Sequence, residues 1–192
     1  MRAASRRVGW GISLCASALV GMTLGWGEQP GGSISPEAQE AIKQLDSTDL
    51  YIQQLAFMRL EALREPATAA VVRRYVDSPK ADTRAFSVRA LAAIEGAAAV
   101  PVLVERLTQD RSPYVRLTAL LALEPLQDPT VMPTVMKKLR DRRPEVRMAA
   151  VDVVSRIDDP QARQALRLRW RRERNRDVRR VLEAAMQRIG AE

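Results

Sequence analysis

A pattern of 31 to 32 residues repeats along the chain, and this repeat limits the folds that the sequence can adopt. Its best-preserved part is a valine followed by arginine and a short aliphatic run, as at Val115-Arg116 and Val146-Arg147. An acidic residue stands five or six positions before each of the five copies. These acids are Asp46, Asp77, Asp110, Asp141 and Glu173. A period of this length predicts a chain of similar units in which each unit packs only against its neighbours.

Each unit contains two helical patterns separated by a turn. In the third unit, aliphatic residues recur at the spacing of one helix face before the turn and again after it. They are Val100, Leu103, Val104 and Leu107 in the first pattern, and Val115, Ala119, Ala122 and Leu123 in the second. Between the patterns, Ser112 suits an N-cap and Pro113 suits the first position of a helix. We therefore predict five helix pairs, over residues 35–63, 66–94, 97–124, 129–157 and 160–188.

The composition favours packed helices over a β-sandwich. Hydrophobic residues make up 46% of the 192 residues but aromatic residues only 4%, so the apolar material is small and aliphatic. One helix pair of this length cannot cover its own apolar faces, whereas stacked pairs share a continuous core. The predicted fold class is all-α. We expect an αα-hairpin solenoid of about five repeats over residues 35–190, after an N-terminal signal or anchor segment.

The repeated motif resembles that of a known family. Asp110 followed by Val115-Arg116, and Asp141 followed by Val146-Arg147, is similar to the short HEAT-like repeat of the phycobilisome-lyase type. The resemblance covers about residues 35–190 and implies a HEAT-like superhelix. Proteins built from this repeat include chromophore lyases, scaffolds and regulators, so the resemblance implies a fold and not a single activity.

The resemblance also implies that the repeated arginine and acid pair along the stack. Each arginine is expected to reach turn carboxylates of its own or the adjacent unit, which would fix the register of the units. The expected structural ladder consists of Asp77, Arg84, Asp110, Arg116, Asp141, Arg147, Glu173 and Arg179. Gln53 stands where the first unit would have its arginine, as expected of a capping unit.

The N-terminal segment has the layout of an export signal. Arg2, Arg6 and Arg7 are followed by 19 residues without charge, 8–26. This pattern predicts either a signal peptide, residues 1–27, that is removed, or an uncleaved membrane anchor through residues 8–26. Residues 28–34 would then be a linker. The predicted location is export, to the periplasm or to the inner membrane as an anchored protein.

The composition excludes much enzyme chemistry. The chain has no histidine, and its one cysteine, Cys15, lies in the N-terminal segment. Neither a Ser-His-Asp nor a Cys-His arrangement can form in the repeats, which also contain no glycine-rich phosphate loop. We predict no catalytic residue, no metal site and no cofactor, and we do not expect the chromophore attachment of the lyases.

Arginine is concentrated at the C-terminal end. The net charge is +8, and residues 160–192 hold 10 arginines against four acids. This excess predicts a surface that binds an acidic protein, although a solvated face of the last unit fits the same pattern. The predicted contact residues are Arg171, Arg172, Arg174, Arg176 and Arg180.

The function predicted from these features is a non-enzymatic, protein-binding scaffold in the cell envelope, with a concave face lined by the second helices. The first alternative is a binder of nucleic acid or another polyanion, since Trp170 lies between two arginines and would permit stacking on bases. Export argues against nucleic acid as the partner. The second alternative is an accessory factor for a cofactor or chromophore enzyme.

Overall fold

Ten α-helices build the part of the chain that the structure describes. The structure is a computed structural model and describes residues 33–126, 128–157 and 159–190. Within these residues there is no β-strand, and the helices form five consecutive pairs, units 1 to 5. The all-α, solenoid class predicted from the repeat is confirmed.

The helix pairs follow the five predicted ranges closely. The first helices of the pairs are α1 (Pro36–Gln44), α3 (Ala69–Arg73), α5 (Val100–Gln109), α7 (Met132–Lys138) and α9 (Pro160–Arg172). The second helices are α2 (Leu50–Leu63), α4 (Ala81–Glu95), α6 (Pro113–Leu123), α8 (Pro144–Val154) and α10 (Arg176–Arg188). Short 3-10 turns lead into α3, α5 and α7, and another follows α6.

Short polar residues set the starts of several helices. Ser35, Asp49, Asp159 and Asn175 each accept a hydrogen bond from a backbone N–H in the first turn of α1, α2, α9 and α10, respectively. Ser112, the predicted N-cap of α6, is in an extended conformation but its hydroxyl makes no capping bond. The backbone N–H of Ser112 instead donates to the Asp110 carboxylate at 2.8 Å, which helps to close the turn before α6.

The second helices form the spine of the stack. Helices α2, α4, α6, α8 and α10 contact one another in that order, and each first helix packs against the second helix of its own pair. One hydrophobic cluster runs through all five units. Its fully buried side chains include Phe57, Leu91, Leu103, Leu120 and Leu182. Because the core is shared between neighbours, each unit depends on the next for apolar cover.

Among the described residues, one apolar stretch meets the length and composition of a membrane span. Ala81–Gln109 comprises 29 residues with a window of mean hydropathy 1.6, and half of that window is buried inside the stack. Gly96, with φ 57°, separates α4 from α5 within this stretch. Since both helices contribute to the shared core, packing between units 2 and 3 accounts for its apolar character.

The predicted signal or anchor segment, residues 1–27, and the linker up to residue 32 lie outside the described residues. Ile34, placed in the predicted linker 28–34, packs against the core beside α1. The backbone N–H of Ser35 donates to the Glu65 carboxylate at 3.0 Å, which ties the start of α1 to the loop after α2.

Candidate partner-binding surface

A buried arginine on the second helix joins unit 3 to unit 4. Arg116 lies in the first turn of α6, and its side chain is 5% exposed. Its Nη1 donates to the backbone carbonyls of Asp110 and Arg111, both at 3.1 Å, in its own turn. Its Nε and Nη2 donate to the two carboxylate oxygens of Asp141, at 2.9 and 2.7 Å, in the turn of unit 4. One guanidinium therefore closes its own turn and fixes the position of the next.

Arg84 and Arg147 repeat this arrangement. Arg84 donates to Asp110 at 2.8 and 2.9 Å, and Arg147 donates to Glu173 at 2.9 and 3.0 Å. In both cases Nη1 donates to turn carbonyls of the arginine's own unit. Each arginine thus reaches the acid of the following unit, and the three pairs form a ladder along the edge where the turns lie.

The ladder acids are held in their charged form. Burial alone would raise the pKa of Glu173, but hydrogen bonds from Arg147, from a backbone N–H and from Arg169 outweigh it and lower the pKa to about 2. Burial acts in the same way on Asp110 and Asp141. Hydrogen bonds from an arginine and from a backbone N–H again outweigh it, so the pKa of each lies below its usual value. The pairs therefore stay ionised at neutral pH.

At the N-terminal end the ladder is replaced by neutral groups. Gln53 occupies the arginine position of unit 1; its Nε2 donates to the carbonyl of Leu45 at 2.6 Å, and its Oε1 accepts from Thr83 at 2.5 Å. Asp77, an expected ladder member, receives no hydrogen bond from an arginine of unit 1, because Gln53 stands in the arginine position. Its side chain is 75% exposed and pairs with Arg106 at 2.9 Å.

Arg179, the last expected member, has no following turn acid within the described residues. Its guanidinium lies 4.7 Å from the ring centroid of Trp170, and its Nε lies 3.4 Å from Glu183. The indole Nε1 of Trp170 donates to the same carboxylate at 3.3 Å. One face of the indole is therefore covered, which leaves less of it for stacking on a nucleic-acid base.

The ladder uses the acid of the unit 5 turn and leaves the basic side chains around it unpaired. Glu173 already binds Arg147 and Arg169. The remaining arginines of this region are exposed, and none has a carboxylate within 4.0 Å in the part of the chain that is described. They are the residues predicted to contact a partner: Arg171, Arg172, Arg174, Arg176 and Arg180.

The turn of unit 4 continues this surface. Its acid, Asp141, is taken by Arg116, while Arg140 and Arg142 are exposed and have no carboxylate partner among the described residues. The turn of unit 1, residues 45–49, differs because it contains two acids and no basic residue. We define the basic edge as Arg140, Arg142, Arg171, Arg172, Arg174, Arg176 and Arg180.

A hollow of about 320 Å³ opens between α7 and α9 beside the basic edge. Basic and apolar side chains line this α7–α9 hollow, and no acid does. The basic ones are Lys137, Arg140, Arg169 and Arg172, and the others are Pro133, Met136, Leu139, Ala165 and Leu168. Neither Lys137 nor Arg140 is among the contact residues predicted from the sequence, because only the stacking of units 4 and 5 brings them next to Arg172.

A second depression, of about 620 Å³, crosses α2, α4 and α6. Tyr114 and Leu121, which are 43% and 50% exposed, lie in its wall, and Arg89 pairs with Glu61 across it at 2.7 Å. Residues of three second helices line this depression, and its assignment to the concave face stays a prediction. Its apolar side chains lie far along the sequence from the basic edge.

The repeat and its ladder place the chain in a known class of protein. The family model for HEAT repeats matches residues 38–124 and again residues 100–187. Because these matches cover most of the sequence, the chain belongs to the HEAT-repeat family. A search of curated protein sequences finds no match.

Two solved structures share this fold. In the complex of CpcE and CpcF of phycocyanin lyase from Nostoc sp. PCC7120, one chain is 22% identical with a TM-score of 0.62, over 78% of this chain and 97% of that chain. An engineered protein is 20% identical with a TM-score of 0.53, over 80% of this chain and 79% of that chain. Together with the family match, the first structure confirms the resemblance stated from the sequence. At such identities the likeness shows the fold alone.

Proposed function

We propose that this protein is a non-enzymatic scaffold that binds an acidic protein partner through the basic edge. The main support is the contrast between two sets of arginines. Those that hold the stack, such as Arg116 and Arg147, are buried and paired, with side chains 5% and 10% exposed. Those of the basic edge are exposed and lack carboxylate partners among the described residues.

Unpaired arginines on a rigid frame favour association with an acidic surface. Like charges held close together repel one another, and carboxylates on a partner relieve that repulsion and speed encounter. The ladder fixes the backbone of the unit 4 and unit 5 turns through Asp141 and Glu173. Binding therefore orders side chains but little backbone, which lowers its entropic cost.

Two observations favour a protein as the partner: the fold of this chain, and the complex that a protein of similar fold forms. HEAT-like solenoids offer extended surfaces, and the depression across the second helices provides one here. The CpcE and CpcF subunits form a complex of two proteins, which is a parallel and not a demonstration for this chain. That complex belongs to a lyase, so an accessory role for a chromophore enzyme is the alternative, and visible absorbance of the purified protein tests it.

The proposed location is the cell envelope. Its support is the sequence of residues 1–27, in which three arginines precede the uncharged residues 8–26. Fractionation followed by mass spectrometry of the N-terminus tests this proposal. A protein that starts near residue 28 in the periplasm, or an intact one in the inner membrane, supports export. An intact protein in the cytoplasm refutes it.

A charge-reversal experiment tests the binding surface. The variant carries Arg171→Glu, Arg174→Glu and Arg176→Glu in the full chain. The control reverses three other exposed arginines, Arg59, Arg74 and Arg111, and so has the same net charge.

We expect wild type and control to retain the same proteins from a nuclease-treated envelope extract, and the basic-edge variant to lose them. Equal retention by all three proteins contradicts the proposal. Proteins that wild type retains from an untreated extract but not from the nuclease-treated one favour the nucleic-acid alternative instead.

A further inference from the structure

We infer that the partner presents an acidic segment with an apolar side chain, and that this side chain enters the α7–α9 hollow while neighbouring carboxylates bind Lys137, Arg140 and Arg172. The inference rests on the proposed function, since it specifies the chemistry of the acidic partner. Charge complementarity alone does not require an apolar contact, whereas here an apolar side chain of the partner must enter the α7–α9 hollow.

The rim of the hollow is positive and uncompensated. Lys137, Arg140 and Arg172 are exposed and have no carboxylate partner in the residues that the structure describes. Arg169 also lines the hollow, but Glu173 holds its guanidinium. Three cations from two successive units therefore converge on one opening, and nothing acidic in its lining offsets them.

The floor of the hollow is aliphatic. Leu139 is 2% exposed and closes the bottom, Met136 and Ala165 are partly buried against the core, and Leu168 is 41% exposed at the edge. A volume of about 320 Å³ lies at the lower end of the range for ligand sites. This space is large enough for one apolar side chain of a partner.

The lining favours a protein segment over other polyanions. Single-stranded nucleic acid binds through bases stacked on aromatic rings, and no aromatic residue lines this hollow. A membrane surface is bound through several apolar side chains beside the basic ones. Here Leu168 is the one large, exposed hydrophobic residue among the described residues of units 4 and 5. An acidic peptide with a leucine or phenylalanine fits both the rim and the floor.

Two synthetic peptides of equal charge test the inference by fluorescence anisotropy with the full chain. One contains glutamate and serine, and the other contains the same glutamates with leucine in place of two serines. We expect wild type to bind the leucine peptide about tenfold more tightly. Leu168→Gln should remove most of this preference and leave the serine peptide unaffected. Leu50→Gln, a change at a leucine of similar exposure (39%) at the start of α2, should change neither affinity.

The outcomes separate this inference from the proposed function. If Arg171→Glu with Arg174→Glu lowers the affinity for both peptides but wild type shows no preference for leucine, binding by the basic edge is supported and the hydrophobic anchor is refuted. If charge reversal affects neither peptide, or if neither peptide binds, the proposed function fails and the inference fails with it. A single-stranded DNA of the same charge that binds more tightly than the leucine peptide also overturns the inference.

Discussion

Replacing Glu173 by glutamine removes the negative charge from the most heavily used carboxylate of the ladder. The Glu173 side chain is 2% exposed and accepts hydrogen bonds from Arg147, Arg169 and the backbone N–H groups of Arg174 and Asn175. Glutamine keeps the shape of the side chain but turns one acceptor into a donor that faces a guanidinium. Arg147, 10% exposed, would then stay buried without a counter-charge.

The cost of this change follows from two arguments. The pKa of Glu173 lies at about 2 against an ordinary value of 4.5, and a pKa change of one corresponds to about 1.4 kcal/mol, so the charged carboxylate contributes roughly 3 kcal/mol. Removing one partner of a buried ion pair costs about 3–5 kcal/mol. We therefore expect Glu173→Gln to lower the free energy of unfolding at pH 7 by about 3 kcal/mol.

Urea unfolding followed by circular dichroism at the helical minimum measures this free energy for the full chain. Glu183→Gln is the matched control. Glu183 also pairs with an arginine, since its carboxylate lies 3.4 Å from Nε of Arg179, but its side chain is 49% exposed. An exposed pair contributes less than about 1 kcal/mol. Glu173→Gln should therefore lower the free energy of unfolding several times more than Glu183→Gln. Equal costs for the two variants would refute the assignment of the ladder as a stabilising element.

The dependence on pH provides a second check. Folding lowers the pKa of Glu173, so its contribution is complete above the unfolded value near 4.5 and is lost as the pH falls towards about 2. The difference in stability between wild type and Glu173→Gln should shrink over this window. A difference that persists unchanged at pH 2 would mean that the cost arises from shape and not from charge.

Three further changes test the packing, with the same urea titration as the measurement. Arg116→Ala leaves the buried Asp141 carboxylate unpaired and should cost about 3–5 kcal/mol, while affinity for the glutamate peptides stays within about twofold. Gly96→Ala should cost about 1–2 kcal/mol from the backbone alone, because φ is 57° and no atom lies within 4 Å of the added Cβ. Phe57→Ala should cost about 3–5 kcal/mol, since the ring is fully buried against Phe86. A cost below about 1 kcal/mol in any of the three contradicts the corresponding argument.

The fold could be predicted because its determinants recur at a fixed period. Aliphatic residues at helical spacing fix which face of each helix is buried, and the repeat length fixes how many pairs can stack. The residue spacing does not show whether each arginine pairs with the acid of its own unit or with that of the next unit. Arg116 is close in sequence to Asp110, yet it gives Asp110 only a bond to its backbone carbonyl and pairs with the side chain of Asp141. Only the stacking geometry decides which carboxylate the guanidinium reaches.

The candidate site could be predicted in part. The excess of arginine near the C-terminus is visible in the composition, and Arg171 and Arg174 are exposed as expected of a binding surface. The α7–α9 hollow could not be found in this way, since its lining comes from two units about one repeat apart. Lys137 and Leu168 have no shared motif, and only the packing of α7 against unit 5 gives them a common opening.

Stability and surface charge are linked through the same turns. Each turn of units 4 and 5 contains a single acid, and the arginine of the preceding unit takes it into the stack. A further basic residue in such a turn finds no second acid there. Arg140, Arg142 and Arg174 are exposed without a carboxylate partner among the described residues, whereas Arg143 pairs with Glu145 on α8 at 3.5 Å. A HEAT-like chain can therefore gain exposed arginines in its turns while the ladder stays unchanged. Substitutions at Arg147 and Arg172, on neighbouring elements, should accordingly separate, the first affecting unfolding and the second affecting binding.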